Sequence, residues 1–177
     1  MSGEWYAVRV RPNFEHVALE ALTTKGHEAF LPTFHQQRSW AEGTKSCVLP
    51  LFLGYLFCRM QAEHWLAVLQ TPGVRDVVSF GRTPVPIPEE EIEAIRRLTQ
   101  SNVKLEPHPY SPAGQVVRVD QGPLAGVAGL LDESCGIPKL LLSITLLQKS
   151  VSAELDTSWT YSAVLNLAQH LSCCANL

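Results

Sequence analysis

The stretch Leu49-Pro50-Leu51-Phe52-Leu53-Gly54-Tyr55-Leu56-Phe57-Cys58-Arg59-Met60 constrains the chain more than any other, because it is bulky, aromatic and almost uncharged. A short apolar run bounded by turn residues fits the interior of a sheet, so Gly54 onward is expected to form a buried strand. Two-residue alternation then places Phe52, Gly54, Leu56 and Cys58 on one side and Leu53, Tyr55, Phe57 and Arg59 on the other. Both sides are apolar, so both need cover, from helices of the same chain or from a partner. For any single residue here, a covered core position is the plain reading. Phe52 and Tyr55 also fit a partner-binding aromatic pair, since they sit around a glycine where a loop meets a sheet.

Upstream, Trp5 to Arg11 reads as a strand, stopped by Pro12-Asn13. Asn13 is a candidate N-cap for a helix whose apolar stripe is Phe14, Val17, Ala18, Ala21 and Leu22, with Glu15, His16 and Glu20 on the polar side and Gly26 ending it. His27 to Pro32 is a second strand, and residues 35–47 read as polar strands around a Glu42-Gly43 tip. Downstream, a short helix spans Glu63 to Leu69, Pro72-Gly73 breaks it, and Val74 to Phe80 is a strand. Pro88 and Glu89-Glu90-Glu91 open a further helix with Ile92, Ile95 and Leu98 as its buried edge. The three acids suit the positive end of that helix better than a metal, because consecutive helical residues do not converge on one ion.

Pro107, Pro109 and Pro112 then mark residues 104–113 as a stiff, extended linker. Several short strands between Gly/Pro turns over 114–159 point to a small β-barrel. Residues 160–177 place Val164, Leu167, Ala168 and Leu171 at helical spacing, which fits either a terminal helix or a frayed end.

A chain of 177 residues, 46% hydrophobic, can bury the cores of one or two small domains. Its net charge of −3 gives no global field for nucleic acid or an anionic membrane. With no secretory pattern and no membrane-length apolar run, a cytoplasmic location is expected. The five cysteines (Cys47, Cys58, Cys135, Cys173 and Cys174) show no Cys-x-x-Cys and no histidines at zinc-site spacing, so a reduced protein without metal or cofactor is expected. No Ser/His/Asp, Cys/His or phosphate-loop arrangement appears, and the chain is not expected to be an enzyme.

The order of elements resembles the NusG/Spt5 family of transcription elongation factors over roughly positions 4 to 159. The carriers are Trp5-Tyr6-Ala7-Val8, Pro50-Leu51-Phe52-Leu53-Gly54-Tyr55-Leu56-Phe57, Thr71-Pro72-Gly73-Val74, and a KOW-like Gly114-Gln115-Val116-Val117-Arg118-Val119 with Gly122-Pro123-Leu124-Ala125-Gly126-Val127-Ala128-Gly129. The resemblance implies an α+β fold. A ferredoxin-like NGN domain would span 1–103, residues 104–113 would link it to a small SH3-like KOW barrel over 114–159, and 160–177 would extend beyond it. It further implies docking of the first domain on the clamp helices of the largest RNA polymerase subunit, with suppression of pausing.

Phe52 and Tyr55 match the family's Phe-Pro-x-Tyr pocket motif and so take the polymerase-binding role, with Phe57 and Arg9 as neighbouring candidates. Arg11 and Lys25 fall where family members face the non-template DNA strand. Glu63-His64-Trp65-Leu66 has no counterpart of the His-Thr-Thr-type contact that some members present to the opposite subunit. In the barrel, Leu124, Val127 and Ile144 are the candidates for contact with ribosomal protein S10 or the termination factor Rho. Leu53 stands where the family usually has Pro, and Leu124 and Val127 where general members often have Phe. These departures and the extension favour a specialised, RfaH/UpxY-like antiterminator acting as a monomer over the general housekeeping factor. A ribosome-associated, RNA-binding KOW protein is the alternative of another class. It would need a basic barrel, yet residues 104–177 carry Lys104, Arg118, Lys139 and Lys149 against Glu106, Asp120, Asp132, Glu133, Glu154 and Asp156.

Overall fold

The computed structural model describes residues 3–40, 43–112, 114–134, 136–156 and 158–164, with backbone alone at 37–40 and 43–45. The first half runs β1 (Glu4–Val10), α1 (Glu15–Thr24), β2 (Glu28–Phe30), β3 (Thr33–Trp40), β4 (Gly43–Pro50), β5 (Tyr55–Met60), α2 (Trp65–Leu69), β6 (Val74–Val77), β7 (Ser79–Phe80), β8 (Thr83–Pro84), β9 (Pro86–Ile87) and α3 (Glu89–Gln100). Its main sheet has the order β2-β5-β1-β6, with β9 also paired to β1. β3 and β4 form a separate hairpin, as do β7 and β8.

The register of β1 on β5 pairs Trp5 with Arg59, Ala7 with Phe57 and Arg9 with Tyr55. These six side chains share one face of the sheet. Ile92, Ile95 and Leu98 of α3 pack with Trp5, Ala7 and Phe57 there. Tyr6, Val8, Leu56 and Cys58 belong to the other core, with Ala18 and Leu22 of α1 and Val68 of α2. Both apolar faces of the central strand are thus covered by helices of the same chain.

Two local expectations need correction at α1. Asn13 is not the N-cap: it adopts φ 64 and the helix starts from Phe14. Asparagine tolerates this left-handed turn, and the Phe14 N–H closes it on the Arg11 carbonyl at 3.0 Å. The buried stripe is Glu15, Ala18 and Leu22, while Phe14 and Val17 are exposed. The helix is rotated toward the side of Glu15 because that carboxylate has a buried partner, described below. At the other end, Gly26 takes φ 83, its N–H reaches the Thr23 carbonyl, and the His27 N–H reaches that of Leu22. This is the paired closure of a Schellman cap.

The second half runs β10 (Leu105–Pro109), β11 (Gln115–Val119), β12 (Ala128–Asp132), β13 (Lys139–Ile144), β14 (Lys149–Glu154) and β15 (Tyr161–Ala163). They form one sheet in the order β10-β14-β13-β12-β11-β15. The stretch 104–113, expected as a linker, is therefore in large part a strand: Leu105 to Pro109 pair residue by residue with Ala153 to Lys149. Proline is tolerated on an edge strand. Pro107 and Pro109 are two apart, so both missing donors fall on the same side.

The extension also begins as a strand, because β15 pairs with β11. Just before it, the Trp159 ring lies where a Cβ at Gly122 would come within 2.7 Å, so only glycine fits that turn. The helical spacing at Leu167, Ala168 and Leu171 lies outside the described residues. One continuous apolar cluster runs from Phe57, Ile95 and Leu98 into Leu140, Ile144 and Val151. The barrel is packed against α3. No helix among the described residues is long and apolar enough to cross a membrane.

Candidate functional site

The entrance to β5 is built by a turn over residues 51–54. Gly54 takes φ 79, its carbonyl accepts the Val10 N–H at 2.9 Å, and the Tyr55 N–H returns to the Phe52 carbonyl at 3.0 Å. The Gly54 N–H donates to Glu15 Oε1 at 3.1 Å. Glu15 is only 3% exposed, so α1 holds the turn through a buried carboxylate.

This turn resets the strand alternation. Phe52 joins the Tyr55 and Phe57 side, not the Leu56 and Cys58 side: its ring meets Phe57 edge-on with centroids 5.6 Å apart. Phe30 covers Phe57 from the neighbouring strand at 6.3 Å. Phe52 and Phe57 are 1% and 0% exposed. They form the floor beneath the site, while Leu53 projects from the turn at 69% exposure.

Tyr55 is half-buried, and cations approach its ring from two sources. The Arg9 guanidinium lies 5.9 Å from the ring centroid and the Lys149 ammonium, from the barrel, lies 5.8 Å away. Each is within the range of a cation–π attraction. Arg9 also pairs with Asp76 at 3.3 Å, both side chains being about half exposed, so the pair adds orientation more than stability. Tyr55, Arg9 and Leu53 thus offer an aromatic, cationic and aliphatic surface on a rigid strand end. No group of His, Cys, Asp and Glu that could hold a metal occurs among the described residues.

The other expected residues do not gather here. Arg11 is exposed next to this strand end. Lys25 lies beyond the ten residues of α1, a helix about 15 Å long. Its ammonium donates to the Ala67 carbonyl at 3.1 Å and Thr71 Oγ1 at 2.9 Å, tying α1 to α2. Leu124, Val127 and Ile144, expected as a partner surface, are buried at 0%, 3% and 0% exposure. All three belong to the large apolar cluster shared with α3.

Two residues that join the halves escaped the sequence reading. Glu91 accepts from the Thr145 N–H at 3.3 Å and from its hydroxyl at 3.0 Å, across the seam between α3 and the barrel. Burial pushes the Glu91 carboxyl above its usual range, opposed by the two Thr145 hydrogen bonds, with the Glu90 charge pushing it further up. Glu89, by contrast, pairs with Arg59 at 2.7 Å within the first half. The acidic triplet signalled a helix start, and nothing in it marked the third glutamate as a bridge.

Comparison with known proteins points to one family. The family described as transcription termination factor nusG matches residues 3–96. The transcription termination/antitermination protein NusG of Thermus thermophilus is 30% identical over 184 residues, covering 92% of this chain and all of the relative. NusG of Escherichia coli is 26% identical, covering 87% of this chain and 93% of the relative. Among solved structures, that of Thermotoga maritima NusG, described by its domain interaction, superposes with a TM-score of 0.51 at 24% identity, covering 86% of this chain and 93% of that one. It supports the two-part fold. The chain belongs to the NusG family of transcription termination and antitermination factors.

Proposed function

We propose that this chain is a transcription elongation and antitermination factor that docks on RNA polymerase, on the clamp helices of its largest subunit. Tyr55 is the central contact, Arg9 and Leu53 flank it, and Phe52 and Phe57 support it from beneath. The observation that carries this reading is the half-buried Tyr55, held by strand pairing over an aromatic floor and bordered by cations. Rigid aromatics with an arginine neighbour dominate protein interfaces, because they bury area at low entropic cost. Phe52 and Phe57 are too buried to be direct contacts in this arrangement.

Lys149 of the barrel stands against the same Tyr55 ring. Polymerase and barrel therefore compete for one surface, and docking requires the barrel to withdraw. Leu124, Val127 and Ile144 lie in the same seam cluster, so a partner such as ribosomal protein S10 or Rho would also meet only the withdrawn barrel. Leu53 in place of Pro, together with the smaller Leu124 and Val127, fits a specialised cytoplasmic antiterminator better than the general factor. Contact with the non-template strand falls to Arg11, since Lys25 is engaged within the fold.

Tyr55→Ala tests the reading in two assays on purified protein. A near-normal melting temperature with loss of pause suppression on a paused template, through a binding loss of about 2 kcal/mol or more, is the expected pair. A large drop in melting temperature with activity retained in the cold would remove the docking role.

A further inference from the structure

The hairpin of β7 and β8 stands at the β6 edge of the main sheet. Past the end of β6, the Val78 N–H donates to the Ala7 carbonyl at 2.9 Å. The Val85 N–H donates to the Val78 carbonyl at 3.2 Å and closes the base of the hairpin. Phe80 pairs with Thr83 next to the turn, where Gly81 takes φ 64. A Cβ added at Gly81 would meet nothing within 4 Å, so the tip stands clear of the rest of the chain. Phe80 is 87% exposed there. Arg82, in the same turn, is exposed and makes no ion pair among the described residues.

One exposed aromatic is ordinary on a protein surface. What sets Phe80 apart is the side of the sheet on which it lies. Asp76 stands opposite Arg9 in the ladder and Arg9 opposite Tyr55, so all three share one face. Val77 belongs to the core on the other face, while Val78 packs with Ala7 and Phe57 on the Tyr55 side. Two-residue alternation carries that row on from Val78 to Phe80. Phe80 is then about 13 Å along the row from Asp76, which is itself two strands, about 10 Å, from Tyr55. A single interface of ordinary size covers about 800 Å² on each partner, a patch roughly 30 Å across, and so takes in both aromatics.

We propose that the β7–β8 hairpin is a second anchor for the polymerase surface that takes Tyr55, with Phe80 buried against its apolar side chains and Arg82 paired with one of its carboxylates. The inference rests on the docking reading above. The row is aromatic at Tyr55 and Phe80, aliphatic at Val78 and cationic at Arg9 and Arg82, which fits a partner with an apolar strip and an acidic border. The two anchors differ in access. The Lys149 ammonium of the barrel lies 5.8 Å from the Tyr55 ring centroid, whereas Phe80 is open to solvent in the same arrangement. Polymerase therefore meets Phe80 first, before the barrel withdraws from Tyr55.

Association and dissociation rates of the full chain on core RNA polymerase, without nucleic acid, test this for the native chain and for Phe80→Ser, Arg82→Glu and Tyr55→Ala. Phe80→Ser should keep the native melting temperature, since the ring is exposed. It should lower affinity about tenfold, mainly through slower association. Arg82→Glu should slow association most at low salt. Tyr55→Ala should act mainly on dissociation. Binding of Phe80→Ser and Arg82→Glu within about twofold of native, with Tyr55→Ala impaired, would overturn the second anchor and leave the docking reading standing. Native binding by all three variants would overturn both. A Phe80→Ser defect seen only on polymerase carrying a DNA–RNA scaffold would overturn the proposal by assigning the hairpin to nucleic acid.

Discussion

Glu15 and Gly54 together decide where Tyr55 stands. Glu15 is a buried carboxylate that accepts the N–H of a turn glycine, so Glu15→Ala leaves that donor without its acceptor. The cost should be about 1–3 kcal/mol in denaturant unfolding. Gly54→Ala should cost about 1–2 kcal/mol for a different reason. The nearest atom to an added Cβ is the Val10 carbonyl oxygen at 4.0 Å, so space is available, and the penalty is the left-handed backbone at φ 79. Phe52→Ala should cost more, about 3–5 kcal/mol, because it empties the floor beneath Tyr55. Unfolding curves for the three variants check this ranking. The same residues mark what strand alternation could tell. It placed Tyr55, Phe57 and Arg59 on one face correctly, since these lie inside the regular strand. It misplaced Phe52, because one positive-φ residue resets the period and its effect cannot be read from hydrophobicity. Glu15 reads onto the polar side of α1, and only the position of the turn shows why it is buried.

At the scale of elements, α3 serves two masters: its Ile92, Ile95 and Leu98 edge seals the sheet, and Glu91 bridges to the barrel. The apolar edge was legible from helical spacing. The bridge was not, since its partner lies 54 residues away. The strand pairing within 104–113 escaped the sequence for a related reason. Three prolines imply an extended chain, and extended is right, but sequence alone does not say that β14 supplies a partner. The seam makes a pH prediction. The Glu91 carboxyl is raised in the closed form, chiefly by burial, so this group favours closure most fully below the ordinary glutamic acid range near pH 4.3. Its contribution is lost as pH rises through the raised value. Glu91→Gln keeps an acceptor for Thr145 and removes the charge. Melting temperatures of the two proteins compared from pH 4 upward should show the variant gaining on the native chain as pH rises, whereas parallel curves would mean the bridge carries no buried charge cost.

The whole molecule is a sheet domain and a barrel that share one apolar cluster, and its polymerase affinity should depend on how often they part. The family and the two-part fold were legible in the ordered motifs, because those motifs encode local strand and turn chemistry. The packing of one part on the other was not, because it depends on surfaces from both halves meeting across α3. Residues 1–103 keep α3 whole, since the helix ends at Gln100, and they omit every strand of the barrel. This fragment should melt below the full chain, having lost the barrel's share of the common apolar cluster and the Glu91–Thr145 bridge. On the docking proposed above it should nevertheless bind polymerase more tightly, because Lys149 of the barrel would have to leave the Tyr55 ring before polymerase could take it, and the apparent affinity of the full chain would fall by its open fraction. A gain of about tenfold corresponds to an open population of about one in ten. Titration of labelled fragment and labelled full chain against polymerase, at a temperature where both are folded by circular dichroism, measures the ratio. Equal affinities would mean that the barrel does not cover the docking surface. A folded fragment that fails to bind would mean that the surface is not on the first domain at all.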